Sequence, residues 1–442
     1  MSALLEPPAS IRATLAALDD FIETRIRPLE LAGDNARFFD HRREWARTDF
    51  ERDGLPSAEW EDLIREMRRR SDEGGWLRRG LPERLGGNGA SHLEMAFIRE
   101  HLARRGIGLH DDALYESSVV GNFPVVVMFD AVASDEQRAE WIEPMITGER
   151  PVGFALTEPG CGSDATRMEA RAVAEGDEWV IDGRKRWNSA AHAVSHNVVF
   201  ARTSGEPGEP LGITAFLVPT DAPGYTVDFY WWTMNMPADA AEVTLAGVRV
   251  SGSAVLGEVG GGLVAIQHFV HDQRMRQAAQ SLGAAQYCVD MAVAYARSRR
   301  TWGRPLSRNQ AIQFPLAELH TEAEMVRALL RSTAAVLDEQ PATSVSHLVA
   351  MCNYRANRLA CEAADRAMQV CGGVGYSRHM PFEHIYRRHR RYRITEGAEE
   401  IQIRKVAQRL FSAEPADAQS AGIWPRDLPA WPASSSQAGA AG

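Results

Sequence analysis

Hydrophobic and polar positions alternate in three textures along the chain. From about residue 9 to 150, apolar residues recur every three or four positions. In SIRATLAALDDFIETRIRPLE, Leu15, Leu18, Ile22 and Ile26 keep that spacing, which predicts an amphipathic helix with Ser10 as its cap. A Gly-rich loop, GLPERLGGNGAS, interrupts; another helical stretch follows, and SDEQRAEWIEPMITGER closes the region. From about 151 to 254, short β-branched runs take over: EWVIDGRKRW, HNVVFART, GITAFLVPT and AEVTLAGVRVSG. Gly, Pro and Asp punctuate them, which predicts an antiparallel β-domain with hairpins. From about 255 to 412 the helical spacing returns in longer stretches. Ala278, Ala279, Gly283 and Ala284 make one helix thin enough for a neighbour to approach closely. Leu316, Leu319, Ala323, Val326 and Leu330 alternate by threes and fours, as bundle helices do. A third helix runs from about Val345 to Cys371 and stops at Gly372-Gly373. The tail, ending AWPASSSQAGAAG, reads as disordered.

Composition narrows the class. A chain of 442 residues is too long for one ordinary core and suggests about two to three domains. A hydrophobic share of 45% with 24% charged residues is the balance of a soluble globular protein. The net charge of -10 disfavours generic binding to nucleic acid or anionic membrane. Cys161, Cys288, Cys352, Cys361 and Cys371 are odd in number and contain no CxxC pair, which fits a reducing compartment. The start, MSALLEPPAS, lacks the basic and apolar regions of a secretory signal, and no apolar stretch is long enough to span a bilayer. The expected location is the cytoplasm.

Five stretches carry candidate chemistry. In GFALTEPGCGSDA, Gly160 and Gly162 free the backbone to approach a ligand, and Ser163 with nearby N–H groups suits a pyrophosphate; an ordinary turn is the plainer reading. Cys161 has no matched His or GxSxG elbow and reads as structural. In GRKRWNSAA, Trp187 beside Asn188 and Ser189 suits a flat heteroaromatic ring, or else faces the core. In SRRTWGRPLSRNQ, Arg299, Arg300 and Arg304 flank Thr301 and Trp302, as phosphate partners or as cations capping a helix end. QVCGGVGY is Gly-rich but follows a helix, so it is no dinucleotide fingerprint and reads equally as a cap and turn. In RYRITEGAEEIQ, Glu396 sits between Thr395 and Gly397, where a buried carboxylate is a candidate general base. Glu399 and Glu400 read as acids complementing the dipole of the following helix. The upstream run IYRRHRR reads as a solvated or interface face. His192 and His196 lack an acidic third ligand, so no metal is expected.

Together and in this order, these motifs resemble the acyl-CoA dehydrogenase family over roughly residues 10 to 412. PERLGGNG resembles its N-terminal Gly-rich loop, LTEPGCGSD its TEP-x-x-GSD signature and GRKRW the strand behind its flavin. RRTWGRPL, QVCGGVGY and ITEGAEEIQ resemble three further family blocks, the last carrying the catalytic base. The resemblance implies an α+β fold: an N-terminal α-helical domain (9–150), a middle antiparallel β-domain (151–254) and a C-terminal four-helix bundle (255–412). It implies FAD, with Phe154, Leu156 and Thr157 along the isoalloxazine, Ser163 near a cofactor or substrate phosphate, and Trp187 and Ser189 backing the ring. Arg299, Thr301, Gln310, Gln369, Gly372 and Gly373 match positions that clasp the FAD of a neighbouring subunit, and Ala398 and Glu400 match cofactor positions beside the base. That implies a homo-oligomer, usually a dimer of dimers. Arg274, Gly397 and Ser163 match substrate-side positions.

The implied reaction converts a saturated acyl-CoA to the trans-2-enoyl-CoA in fatty acid metabolism. Glu396 removes the α-proton, the β-hydrogen leaves as hydride to flavin N5, and an electron-transferring flavoprotein collects the electrons. Hydrogen bonds from the FAD ribityl hydroxyl and the base's own N–H stabilise the enolate-like oxygen. Four positions depart from the family pattern. Asn188 replaces a common apolar residue, Ser189 a usual Thr, and His271, next to Asp272, a frequent Asp; Thr395 stands where medium-chain members have Tyr. The same fold hosts acyl-CoA oxidases and nitroalkane-oxidase-like flavoenzymes. It also hosts a DNA-binding alkylation-response branch, which the acidic chain disfavours.

Overall fold

A computed structural model describes residues 6–112 and 117–412. The tail expected to be disordered lies outside the described residues. The N-terminal part contains α1 (Ala9–Phe21), α2 (Ala58–Glu73), α3 (His92–Arg104), α4 (Pro124–Val132) and α5 (Asp135–Thr147). Ser10 does not cap α1. The cap is Pro8, whose carbonyl accepts from Arg12 N at 2.9 Å, so the helix starts two residues earlier and Ser10 falls inside its first turn. Leu18, Ile22 and Ile26 are buried, as their spacing predicts, against Trp60, Leu63, Ile64 and Met67 of α2.

The middle sheet contains β1 (Val152–Ala155), β2 (Arg171–Glu175), β3 (Glu178–Asn188), β4 (His196–Arg202), β5 (Ile213–Pro219), β6 (Tyr225–Tyr230), β7 (Ala241–Ser251) and β8 (Val255–Leu256). Its order is β6-β7-β3-β2-β4-β5-β8, with β1 also on β4. The sheet is not wholly antiparallel. β1 runs parallel to β4, with Phe154 opposite Val198, and β2 meets β4 in parallel at Arg171 and Arg202. The chain enters from α5 through β1 and reaches β4 only after the β2–β3 hairpin, so β1 and β4 point the same way. In β4 every residue from Asn197 to Arg202 is buried, which explains its unbroken apolar run.

The C-terminal part is built on α6 (Gly262–Ser298), α7 (Gln310–Leu337) and α8 (Ser346–Cys371), with α9 (Phe382–Tyr392) and α10 (Glu399–Ser412) packed on α8. The small residues of α6 receive α3: a Cβ on Gly283 would lie 2.3 Å from Glu100 O and 2.8 Å from Ala103 Cβ. This contact joins the N-terminal helices to the bundle. The basic run in α9 is not a solvated face, because Arg388 and His389 are buried. Arg388 donates to Gln280 and Tyr392, and His389 Nδ1 lies 2.8 Å from Ser281 Oγ.

Candidate active site

Glu396 stands in the short turn between α9 and α10. It is half-buried and has φ +53, a left-handed conformation uncommon for any residue but glycine. Such strain persists only where neighbours enforce it. Arg274 of α6 is the first enforcer: its Nε and Nη2 donate to the Glu396 carbonyl at 3.0 and 2.6 Å. Burial pushes the Arg274 pKa down to about 10, partly opposed by the nearby Glu396 charge, so the side chain stays cationic at neutral pH. Gly397 follows at φ +86, and a Cβ there would lie 3.0 Å from Arg274 Nη2. The turn thus needs glycine for its backbone angle and for the guanidinium that closes on it. Gln402 Nε2 donates to the Gly397 carbonyl at 2.9 Å. Ala398 is half-buried and Glu400 exposed at the head of α10.

Glu399, read from sequence as a dipole partner, does more. It is 7% exposed, and its carboxylate accepts from Arg393 (2.8 and 2.8 Å) and from Arg358 of α8 (3.0 and 3.2 Å). Those hydrogen bonds, Arg393 first, hold its pKa at about 2 against the opposing effect of burial. His271, one turn from Arg274, is buried with Nε2 unpartnered. Burial, then Arg274 and Lys405, lower its pKa to about 4. Asp272, beside it, is half-buried. It lines a cavity of about 100 Å³ between α3 and α6, with Arg99, Phe123 and Arg276.

The second part of the site lies on the sheet. Arg186 N donates to Thr157 O at 2.8 Å, so the TEP segment runs beside the strand that carries Trp187. Beneath it lies a buried ion pair. Lys185 Nζ donates to Glu158 Oε1 at 2.8 Å and to Leu156 O at 3.2 Å, while Glu158 also accepts from Glu169 N and Ala170 N. These contacts fix Leu156 and Thr157, both half-buried. Ser163 is exposed on the loop beyond, and Gly160 has open space where a Cβ would stand. Burial and the Glu158 charge raise the Cys161 pKa, which suits a structural thiol.

Trp187 has φ +62, lies 4.8 Å from Trp231 between ring centres, and keeps 47% of its surface exposed. A large indole held on one side and open on the other, on the strand bonded to the Thr157 backbone, fits a flat heteroaromatic ring such as a flavin. The half-buried Phe154 ring stacks on Phe269 at 4.2 Å and meets Phe200 at 5.0 Å, contacts that hold it against the core. One sequence expectation changes here. Asn188 does not join Trp187 and Ser189 on the ligand face. The left-handed φ of Trp187 and a register shift between Lys185 and Asn188 reverse the strand's alternation here and turn Asn188 inward, where it is 0% exposed and both side-chain polar atoms lack a partner.

The remaining expected residues form a separate group on the bundle. Arg299 ends α6, Thr301 lies in a small hairpin and Gln310 opens α7. Gln369 and Gly372-Gly373 close α8. All but the half-buried Thr301 are exposed, and a Cβ on either glycine would meet open space.

Comparison with known proteins follows the same division. Residues 10–149, 153–248 and 260–411 match the N-terminal, middle and C-terminal domains described for acyl-CoA dehydrogenases. The human protein named short-chain specific acyl-CoA dehydrogenase, mitochondrial, is 35% identical over 338 residues, covering 76% of this chain and 80% of its own. A Clostridium sporogenes protein named 3-(aryl)acrylate reductase is 32% identical over 79% of this chain and 91% of its own. A solved structure of a putative acyl-CoA dehydrogenase from Mycobacterium abscessus superposes with TM-score 0.80 at 26% identity, over 92% of this chain and 99% of that one.

Proposed function

The chain belongs to the acyl-CoA dehydrogenase family of FAD-dependent oxidoreductases, and on that premise we propose that Glu396 is the base that removes the α-proton of an acyl-CoA thioester. One observation carries this reading. A carboxylate in a strained left-handed turn has its own carbonyl clasped by a buried arginine, in the motif position of the family's base. Strain of this kind clusters where geometry serves chemistry.

The residues divide the work as follows. Trp187, Phe154, Leu156, Thr157, Ser163 and Ser189 hold the flavin, with Ala398 and Glu400 beside it. Bound FAD supplies the acceptor for the β-hydride. Glu396 takes the α-proton, and its own backbone N–H donates to the thioester oxygen as negative charge develops there. Arg274 keeps the Glu396 peptide from rotating, because two of its N–H groups share one carbonyl. Gly397 lets the main chain approach the thioester without a Cβ. Arg299, Thr301, Gln310, Gln369, Gly372 and Gly373 are the clasp offered to the FAD of a second copy, which makes the enzyme a homo-oligomer, with a dimer of dimers expected. The reading extends to an electron-transferring flavoprotein as acceptor, to fatty acid metabolism and to a cytoplasmic location, the last in keeping with five free cysteines. The domain limits proposed are 9–150, 151–254 and 255–412, with 413–442 as a tail.

The test is the visible spectrum of the anaerobic holoenzyme with a panel of saturated acyl-CoAs of rising length plus 3-phenylpropionyl-CoA. Bleaching of the flavin band identifies the reaction and its substrate. Glu396→Gln should retain FAD and lose turnover; undiminished bleaching by that variant refutes the assignment. Rapid reoxidation by O₂ would replace the dehydrogenase reading with an oxidase.

A further inference from the structure

We propose that Glu399, gripped by Arg358 and Arg393, is a positioning residue that locks the turn carrying Glu396. The inference rests on the reading of Glu396 as the base. A left-handed conformation at a non-glycine residue, φ +53 at Glu396, is strained. The turn follows α9 through bonds from Ile394 N and Thr395 N to Arg391 O, and beyond them side chains from other positions hold it. Two of them fix the carbonyls: Arg274 on Glu396 and Gln402 on Gly397. These leave the turn's two ends to be joined. Glu399 joins them twice. Its N–H donates to Arg393 O at 3.1 Å, and its carboxylate forks onto the Arg393 guanidinium. Arg358 then ties the same carboxylate to α8, a helix that takes no part in the turn.

A charge that only complemented a helix dipole would require neither arginine. Glu399 instead accepts four charge-assisted hydrogen bonds from two guanidiniums. Its side chain is 9% exposed and theirs are 31% and 26%. Bidentate, shielded and shared between elements, this is the kind of ion pair whose geometry matters. The latch therefore governs where the Glu396 carboxylate stands relative to a bound thioester.

The experiment separates proton removal from the redox step. Acetyl-CoA has an α-hydrogen but no β-carbon, so it cannot lose a hydride. In D₂O, Glu396 takes an α-proton and a solvent-derived deuteron returns to the same carbon; no electrons move. In Glu399→Gln holoenzyme, the exchange rate and the kcat for the fastest-bleaching acyl-CoA should both fall about 10- to 100-fold, the loss typical of a reacting group displaced by about 1 Å. KM should stay within about threefold and FAD should remain bound, because the turn's displacement spoils geometry more than affinity. Arg358→Met leaves the Arg393 fork in place and should show the same pattern at smaller amplitude, and it carries the test should Glu399→Gln fail to fold. An exchange rate within about twofold of wild type in folded holoenzyme overturns the proposal, as does a loss confined to thermal stability. Glu396→Gln tells the two failures apart. If it still exchanges, the base is misassigned; if it is dead while Glu399→Gln is normal, only the latch is wrong.

Discussion

Gly397→Ala puts the geometry of the catalytic turn to a quantitative test. Two costs follow from the structure. The first is backbone strain: at φ +86, an alanine costs roughly 1–2 kcal/mol. The second is steric: the new methyl would stand 3.0 Å from Arg274 Nη2, with Ile401 Cγ2 a further 0.7 Å away at 3.7 Å. The guanidinium must give way by a few tenths of an ångström, and it is the group that holds Glu396 through two bonds to one oxygen. A charge-assisted hydrogen bond is worth about 1.5–3 kcal/mol, so weakening either bond adds a comparable amount to the strain. The loss falls on Glu396, the proposed base, so kcat should drop about 10- to 100-fold. Gly247→Ala is the matched control. Its φ is +62, but a Cβ there meets nothing within 4 Å, so it carries the backbone cost alone. Both variants are assayed for melting temperature, bound FAD and kcat with the acyl-CoA that bleaches the flavin fastest. The expected result is similar destabilisation with activity lost only at Gly397. Equal activity in the two variants would refute the claim that the Arg274 clasp sets the position of the base.

Three further outcomes are expected. Asn188→Leu should raise stability by about 1–3 kcal/mol in chemical denaturation, because two buried polar atoms now go unsatisfied and the shapes are similar; destabilisation would mean that a buried water partners the amide. Lys185→Met should cost about 3–5 kcal/mol by leaving the Glu158 carboxylate buried without its cation, and adding Glu158→Gln should recover part of the loss; a mild single variant would contradict a dry ion pair. His271 and His110 have pKa values lowered to about 4 by burial, against 6.5 for an ordinary histidine. The unfolded chain therefore takes up protons first as pH falls, and stability from both is present above pH 6.5 and lost progressively toward pH 4. Replacing His110 by Gln should flatten that acid slope in pH-dependent denaturation, and an unchanged slope would count against the burial argument.

What the sequence revealed about this site depended on the range of the interaction behind each feature. The thin face of α6 was legible because smallness is a local property, and Gly283 meets α3 as its neighbours suggest. Asn188 was misread because plain alternation through Ile181 and Lys185 would turn it outward, and only the left-handed Trp187 and the register shift beside it reverse the phase. β1 has only four residues, too few for a pattern to reveal that the Phe154 ring faces Phe200 and Phe269. Arg388 and His389 read as part of a solvated or interface face because the groups that hold them, Gln280 and Ser281, come from another helix. Glu399 belongs to the same class. Arg358 is 41 residues earlier, and nothing near Glu399 in the chain distinguishes a helix-capping acid from one forked by two guanidiniums. The motif around Glu396 is short because the identity of the proposed base and the glycine beside it are local requirements. The groups that hold the strained turn, Arg274 and Arg358, are supplied by separate helices, so another chain can carry the same motif and hold its base less firmly. The match in motif therefore predicts which residue takes the proton, while the rate at which it does so depends on contacts that a motif does not contain.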